Sequence, residues 1–369
     1  MAKNLMIGWF GTFLQLLLRL SWGVIDLPIA LLLHLNSVEM GFVATAFYIG
    51  YVTSSIPWGL IIDKIGPAKS MLISSFILIF LNLILFLSIN SYLLLVIIYL
   101  IDGLVAAAIF PSAMKILAVS YGNKLTFYVA LLESAGPITI LFLSLIATIL
   151  LNTWRLFYLF ISIGFLTLVI LTTKLNVKNV SSEVRKSFRI IFDKKITLAT
   201  LVRLGELWST WGTTTWIFSM LVLYRHISPE FSAAFLFLFG LGQLIGILTV
   251  ERLSSILGDK RVILINLLGF IILTILVIFS TGFMIFPEAF LMGIFSFSYR
   301  PPTDSLIMKI AGESKAGTSI GYANAVSQIG TLIAPTFVGF VLYITHSFAF
   351  SMISLDIGCI ISIICLFLL

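Results

Sequence analysis

Charge is scarce in this 369-residue chain: Lys, Arg, Asp and Glu together make up 10% of it, against about 25% in a soluble domain. So few charges cannot cover a water-facing surface of this size, which excludes a soluble enzyme. Cysteine is almost absent. Cys359 and Cys365 both fall in the last apolar run and read as small apolar fillers, not as a disulfide or a metal pair. Only three histidines occur, His34, His226 and His346. All lie near the ends of apolar runs and read as interfacial residues. No Gly-x-x-x-x-Gly-Lys-[Ser/Thr] phosphate loop is present, so ATP is not expected to act through this chain. The first run carries Arg19 and has no small-residue cleavage site after it, so no cleavable signal peptide is expected. No cofactor, metal or nucleic-acid partner is expected, because the net charge of +7 is scattered and forms no basic patch.

What the chain does have is length of apolar sequence. Apolar residues make up 60%, in runs near the 20 residues that cross a bilayer. Hydropathy predicts twelve spans, at about 7–33, 38–62, 70–89, 92–118, 124–150, 154–173, 196–223, 231–250, 262–282, 286–310, 316–343 and 347–368. The stretch from Lys174 to Lys195 holds seven basic residues and divides the chain six plus six. The expected organisation is a bundle over 1–173, a cytoplasmic linker over 174–195 and a second bundle over 196–369. Seventeen of the 22 Lys and Arg fall on one side of this layout, which predicts cytoplasmic termini in a plasma or inner membrane. The glycosylation-type triplet at Asn179 falls on that side and is expected to be unmodified. Arg19 and Arg203, 184 residues apart, and the turns Asp63-Lys64 and Glu251-Arg252, 188 apart, read as mates of an internal repeat.

The turn after the second span reads Gly59-Leu60-Ile61-Ile62-Asp63-Lys64-Ile65-Gly66-Pro67-Ala68-Lys69. Its glycines permit a tight reversal. Asp63 is suited to accept from N–H groups at a neighbouring helix start, and Lys64 and Lys69 to face anionic headgroups. The segment resembles the G-x-x-x-D-[RK]-x-G-x-[RK]-[RK] signature of the major facilitator superfamily. Gly136-Pro137, Trp154-Arg155-Leu156-Phe157 and the run from Ala316-Gly317-Thr318 to Pro335 resemble its fifth, sixth and eleventh spans. The resemblance implies an all-α membrane protein of twelve transmembrane helices in two pseudo-symmetric six-helix bundles. It also implies that Gly59, Asp63, Lys64, Gly66 and Lys69 form a conformational latch.

Ionisable residues inside a span are costly and mark functional sites. There are nine: Arg19, Asp26, Asp102, Glu133, Arg203, Glu206, Arg300, Asp304 and Asp356. Seven lie on spans 1, 4, 7 and 10, the spans that line the central cavity in the superfamily. Arg203 with Glu206 and Arg300 with Asp304 share helix faces by spacing, and each pair reads equally as a structural ion pair or as part of a site. Asp356 reads as a helix-packing acceptor. Pro301-Pro302 must interrupt the tenth span.

An arginine on span 1 and another on span 7 resemble the organophosphate:phosphate antiporters and the related organic-anion:proton symporters. The antiporters' lysine on span 2 and histidine on span 5 are not here, which favours a smaller organic anion. The expectation is a secondary transporter, not an enzyme, working as a monomer by proton-coupled alternating access. Its substrate site draws on Arg19, Arg203, Arg300, Trp22 and Trp208. Asp26, Asp102, Glu133 and Asp304 are the proton-coupling candidates. An exporter of hydrophobic or cationic compounds is the alternative, and a non-transporting solute sensor a further one.

Overall fold

The computed structural model describes residues 2–121, 125–175, 193–311 and 316–369. Most of the expected linker, including Lys178, Arg185, Lys186, Arg189 and the Asn179 triplet, lies outside the described residues, as do Lys124 and Lys315. Among the described residues all regular structure is helical: α1 (Ala2–Leu20), α2 (Trp22–Leu33), α3 (Ser37–Ile65), α4 (Pro67–Leu87), α5 (Tyr92–Ala106), α6 (Ile109–Tyr121), α7 (Leu125–Glu133), α8 (Ala135–Thr172), α9 (Lys194–Tyr224), α10 (Pro229–Leu257), α11 (Asp259–Phe279), α12 (Ile285–Phe297), α13 (Arg300–Ala311), α14 (Ala316–Thr345) and α15 (Phe348–Leu368). Lipid is the natural solvent for the outer faces, because side chains such as Leu87, Leu145, Leu248 and Ile364 are more than half exposed.

Ten stretches are long and apolar enough to cross a membrane. One of these, 131–172, counts twice. Its 42 residues would run about 63 Å as one helix, twice the hydrocarbon thickness of about 30 Å. It turns at Thr153, whose φ of −124° and ψ of 21° are not helical. The 31-residue α9, richer in serine, threonine and tryptophan than the others, completes the twelve. Breaks divide the first, fourth, fifth and tenth spans at Ser21, Ala107–Ala108, Ser134 and Ser298–Tyr299. Pro301 and Pro302 sit in the first turn of α13, where a missing N–H costs nothing. The tenth span is thus interrupted just before them.

The helices gather into two compact units, one of Met1–Leu35 with Phe42–Val184 and a second of Asn36–Gly41 with Arg185–Leu369. The internal repeat has a clear register. Helices α3 and α10 start at 37 and 229 and end at 65 and 257, an offset of 192. Helices α4 and α11 keep the same offset, and each follows a glycine at positive φ, Gly66 at 93° and Gly258 at 84°. The first and seventh spans end in left-handed histidines, His34 and His226, again 192 apart; histidine is among the few side chains that accept this conformation. Helices α3 and α5 cross where a Cβ on Gly50 would run into the Leu100 carbonyl and one on Gly103 into that of Phe47. Gly242 with Phe290, and Gly293 with Phe239, repeat the crossing between α10 and α12. This register corrects the expected one. It aligns Arg19 with Trp211 and Arg203 with Gly11, so the two arginines are not repeat mates. Asp63 likewise aligns with Ser255, not Glu251. Backbone close approaches hold the repeat, whereas charges come and go with function.

Candidate functional site

In the first unit α2 and α5 face each other with matched pairs. Trp22 precedes Asp26 by one turn on α2, and Tyr99 precedes Asp102 by one turn on α5. The Trp22 and Tyr99 rings meet edge-on at 5.2 Å. The Tyr99 hydroxyl lies 2.9 Å from that of Tyr158 on α8, and the Tyr99 phenol is within electrostatic reach of both Asp102 and Asp26. All five side chains are at most 1% exposed. Neither Asp102 oxygen has a hydrogen-bond partner among the described residues. On α1 the Arg19 guanidinium stands over the Tyr48 ring at 4.6 Å and near that of Tyr51 at 5.7 Å, a cation–π arrangement. Glu133, half-buried, ends α7 at the Ser134 break before Pro137.

In the second unit the buried charges are paired across helices. Arg203 donates to the Asp304 carboxylate and, at 3.3 Å, to the Asn324 side-chain oxygen. The Glu206 carboxylate accepts from the Thr303 hydroxyl at 2.5 Å, and its backbone carbonyl from Tyr299 at 2.7 Å. The same-helix spacing of 203/206 and 300/304 therefore does not describe where Arg203 and Glu206 bond. Arg300 lies 5.7 Å from the Phe297 ring. Trp208 donates to the Ser354 carbonyl at 3.0 Å and leans on Phe337. Asp356 meets Thr274 of α11 in the α11–α15 packing.

At the signature turn Asp63 accepts from Lys115 of α6 at 2.6 Å, in place of the expected backbone donors. Lys64 and Lys69 are exposed and Gly59 has open space around it. The second unit carries its own version: Asp259 accepts from Lys309 at 2.5 Å and from Ser305 at 3.0 Å. Among the described residues no group of three or more His, Cys, Asp or Glu is placed to hold a metal ion.

Sequence reasoning misses Tyr158, Thr303, Asn324 and Lys115. Each acts from a different helix than its partner. A fully buried tyrosine in a span is the one available signal, since its hydroxyl needs a partner.

Solved structures similar to this chain include a nucleoside transporter, NupG, at 14% identity with a TM-score of 0.79, covering 99% of this chain and 98% of that one. A D-xylose-proton symporter matches at 14% identity and TM-score 0.82, covering 99% and 96%. A bacterial homologue of the human lysosomal transporter Spinster, inward-facing and unoccupied, matches at 13% identity and TM-score 0.79, covering 99% and 95%. At these identities the likeness is one of fold. The family model described as Major Facilitator Superfamily matches residues 8–335 and again 208–369. With twelve spans among the described residues, a repeat at an offset of about 192 and that match, this chain is a multi-pass membrane transporter, not an enzyme, and belongs to the major facilitator superfamily.

Proposed function

We propose that the protein moves a small organic anion together with protons by alternating access. It works as a monomer in a plasma or inner membrane with both termini cytoplasmic. The observation that carries the reading is Arg19. A guanidinium held by cation–π attraction 4.6 Å from the Tyr48 ring and 5.7 Å from that of Tyr51 is placed inside the unit, and its N–H fork suits a carboxylate taken bidentately. Arg203 is engaged with Asp304, so an anion reaches it by exchanging with that carboxylate. Trp22, Trp208 and Arg300 complete the proposed substrate set. The acids available for coupling are Asp26, Asp102, Glu133 and Asp304.

A second reading, export of cationic or hydrophobic compounds, is favoured by the Arg203–Asp304 pair itself, which leaves buried acids in excess. The test is uptake into proteoliposomes under an imposed inward proton gradient, with labelled benzoate and succinate as anionic probes. Uridine and xylose serve as neutral probes and ethidium as the cationic one. The expected result is gradient-driven accumulation of an anionic probe, reduced about tenfold or more in Arg19→Gln, a loss of about 1.4 kcal/mol. Ethidium movement without anion uptake favours the exporter. Accumulation of only a neutral probe ends both.

A further inference from the structure

The repeat provides an internal control for every buried polar residue: its counterpart in the other half occupies the same kind of place in the same fold. Four positions in the first unit, taken through the register, give an asymmetric result. Asp26 aligns with Phe218 at the 192 offset of the first and seventh spans. Tyr99 and Asp102 align with Ala289 and Met292 at the 190 offset set by Gly103 and Gly293. Tyr158 aligns with Met352 at the 194 offset set by Gly164 and Gly358. All four counterparts are apolar and fully buried. At these four positions the second unit therefore carries no ionisable group, and the neighbouring polar side chains, such as Thr214 opposite Trp22 in the register, are uncharged hydroxyls. In the first unit the same interior holds two carboxyls and a hydrogen-bonded pair of phenols.

Such a substitution lacks a structural rationale. Burying a carboxylate that makes no hydrogen bond costs several kcal/mol, and both Asp102 oxygens are in that position among the described residues, at 0% exposure. A packing role would show the carboxyl bonded to a neighbouring helix, as Glu206 is to Thr303. The groups facing this interior are Asp26 from α2, Tyr99 on the same helix as Asp102 and Tyr158 from α8. The unit's interior cation, Arg19, is on α1 with Tyr48 and Tyr51 of α3. The phenol pair is a chain of two O–H groups, able to donate to a carboxylate or accept from a carboxylic acid as the proton comes and goes.

We infer that Asp102, supported by Asp26 and the Tyr99–Tyr158 pair, is the residue that carries the exchangeable proton, and that the coupling site lies inside the first six-helix unit. With its interior closed by the Trp22–Tyr99 contact, Asp102 holds the proton. This rests on the proton-coupled reading and selects one acid from its four candidates. Glu133 and Asp304, which are half-buried, are thereby assigned no storage of the coupling proton.

The test uses the purified full-length protein in lipid nanodiscs, titrated by infrared difference spectroscopy in the carboxylic-acid C=O region, where no solute is needed. Wild type is expected to show a buried carboxylic acid that titrates. Asp102→Met, which installs the residue found at Met292 and suits a packed core, is expected to fold and to lose that band. Tyr158→Phe is expected to keep the band but move its midpoint by about one pH unit, tenfold in proton affinity. Glu133→Gln and Asp304→Asn are expected to leave it in place. A band that persists in Asp102→Met, or one lost only in Glu133→Gln or Asp304→Asn, overturns the assignment. If Asp102→Met fails to fold, a Tyr158→Phe titration indistinguishable from wild type overturns it. Failure of the transport reading shows separately in the benzoate assay. A wild type that titrates but does not accumulate the probe loses the coupling and keeps the site. Accumulation by Asp102→Met equal to wild type under the same gradient loses the site and keeps the transporter.

Discussion

Asp102 in the first half and Met292 in the second occupy equivalent places in the repeat, and both are fully buried. The contrast runs the other way nearer the start of each half. Arg203, Glu206, Thr303 and Asp304 of the second half correspond to Gly11, Leu14, Ala113 and Met114 of the first. Leu14 and Ala113 are buried, and Gly11 packs against Leu168 and Ile109. Each half thus places its ionisable interior groups where the other half has none at the matching positions. The two levels lie about a dozen residues apart along their own helices, roughly 18 Å. The crossing of α3 with α5 and that of α10 with α12 are the same, glycine for glycine. Backbone packing is the property both halves share, and ionisable chemistry is what distinguishes them.

The largest test of this contrast is to break the second half's pairing. Asp304→Asn leaves Arg203, whose side chain is 5% exposed, without its carboxylate, and removing one partner of a buried pair costs about 3–5 kcal/mol. The expected outcome is a drop of several degrees or more in the melting temperature of the detergent-solubilised protein. Arg203→Leu with Asp304→Leu is expected to recover most of it, because the first half has the uncharged Gly11 and Met114 at those two places. A double variant no better than the single one would show that the two halves are not interchangeable there.

A smaller loss is expected at the shared crossings. Gly103→Ala forces a Cβ into the Phe47 carbonyl, and Gly293→Ala one into that of Phe239. Neither neighbour is a flexible side chain, and overpacking of this kind costs about 1–3 kcal/mol. The two variants should lower the melting temperature by similar amounts. Unequal losses would place the repeat's equivalence in the sequence pattern and not in the packing.

Much of this architecture is legible in the sequence. Apolar run length yields the twelve spans, though not the breaks that divide four of them, the basic stretch after Lys174 points to the six-plus-six division, and the signature at Gly59–Lys69 points to the family. The concentration of buried charge on spans 1, 4, 7 and 10 also stands in the sequence. The partners are not legible there. Arg203 and Asp304 are 101 residues apart, and which face of one helix meets which face of another depends on rotations that spacing along a single helix does not encode. Glu206 and Asp304 both lie within a turn of an arginine, yet Glu206 bonds Thr303. Matching arginine to arginine misreads the repeat. Glycine pairs at a constant offset are the dependable landmarks: Gly50 with Gly242, where a crossing backbone tolerates nothing larger, and Gly66 with Gly258, where the backbone takes a positive φ.

The smallest effect is expected at the two aspartate–lysine pairs of the loop ends, where the halves look alike but differ in exposure. Lys115 and Asp63 are 16% and 37% exposed, whereas Lys309 is 68% exposed and Asp259 9%. Surface ion pairs contribute about 0–1 kcal/mol, and the contribution shrinks as either partner is solvated. Double-mutant cycles on melting stability, Lys115→Ala with Asp63→Ala and Lys309→Ala with Asp259→Ala, should therefore give couplings under about 1 kcal/mol. The first is expected to exceed the second and to fall less with added salt. Equal couplings would mean that lysine exposure is not what sets them. The additional bonds of Asp259 to Ser254 and Ser305 would then have to account for the second pair, since a carboxylate already fixed by two hydroxyls gives up less conformational freedom when the lysine binds.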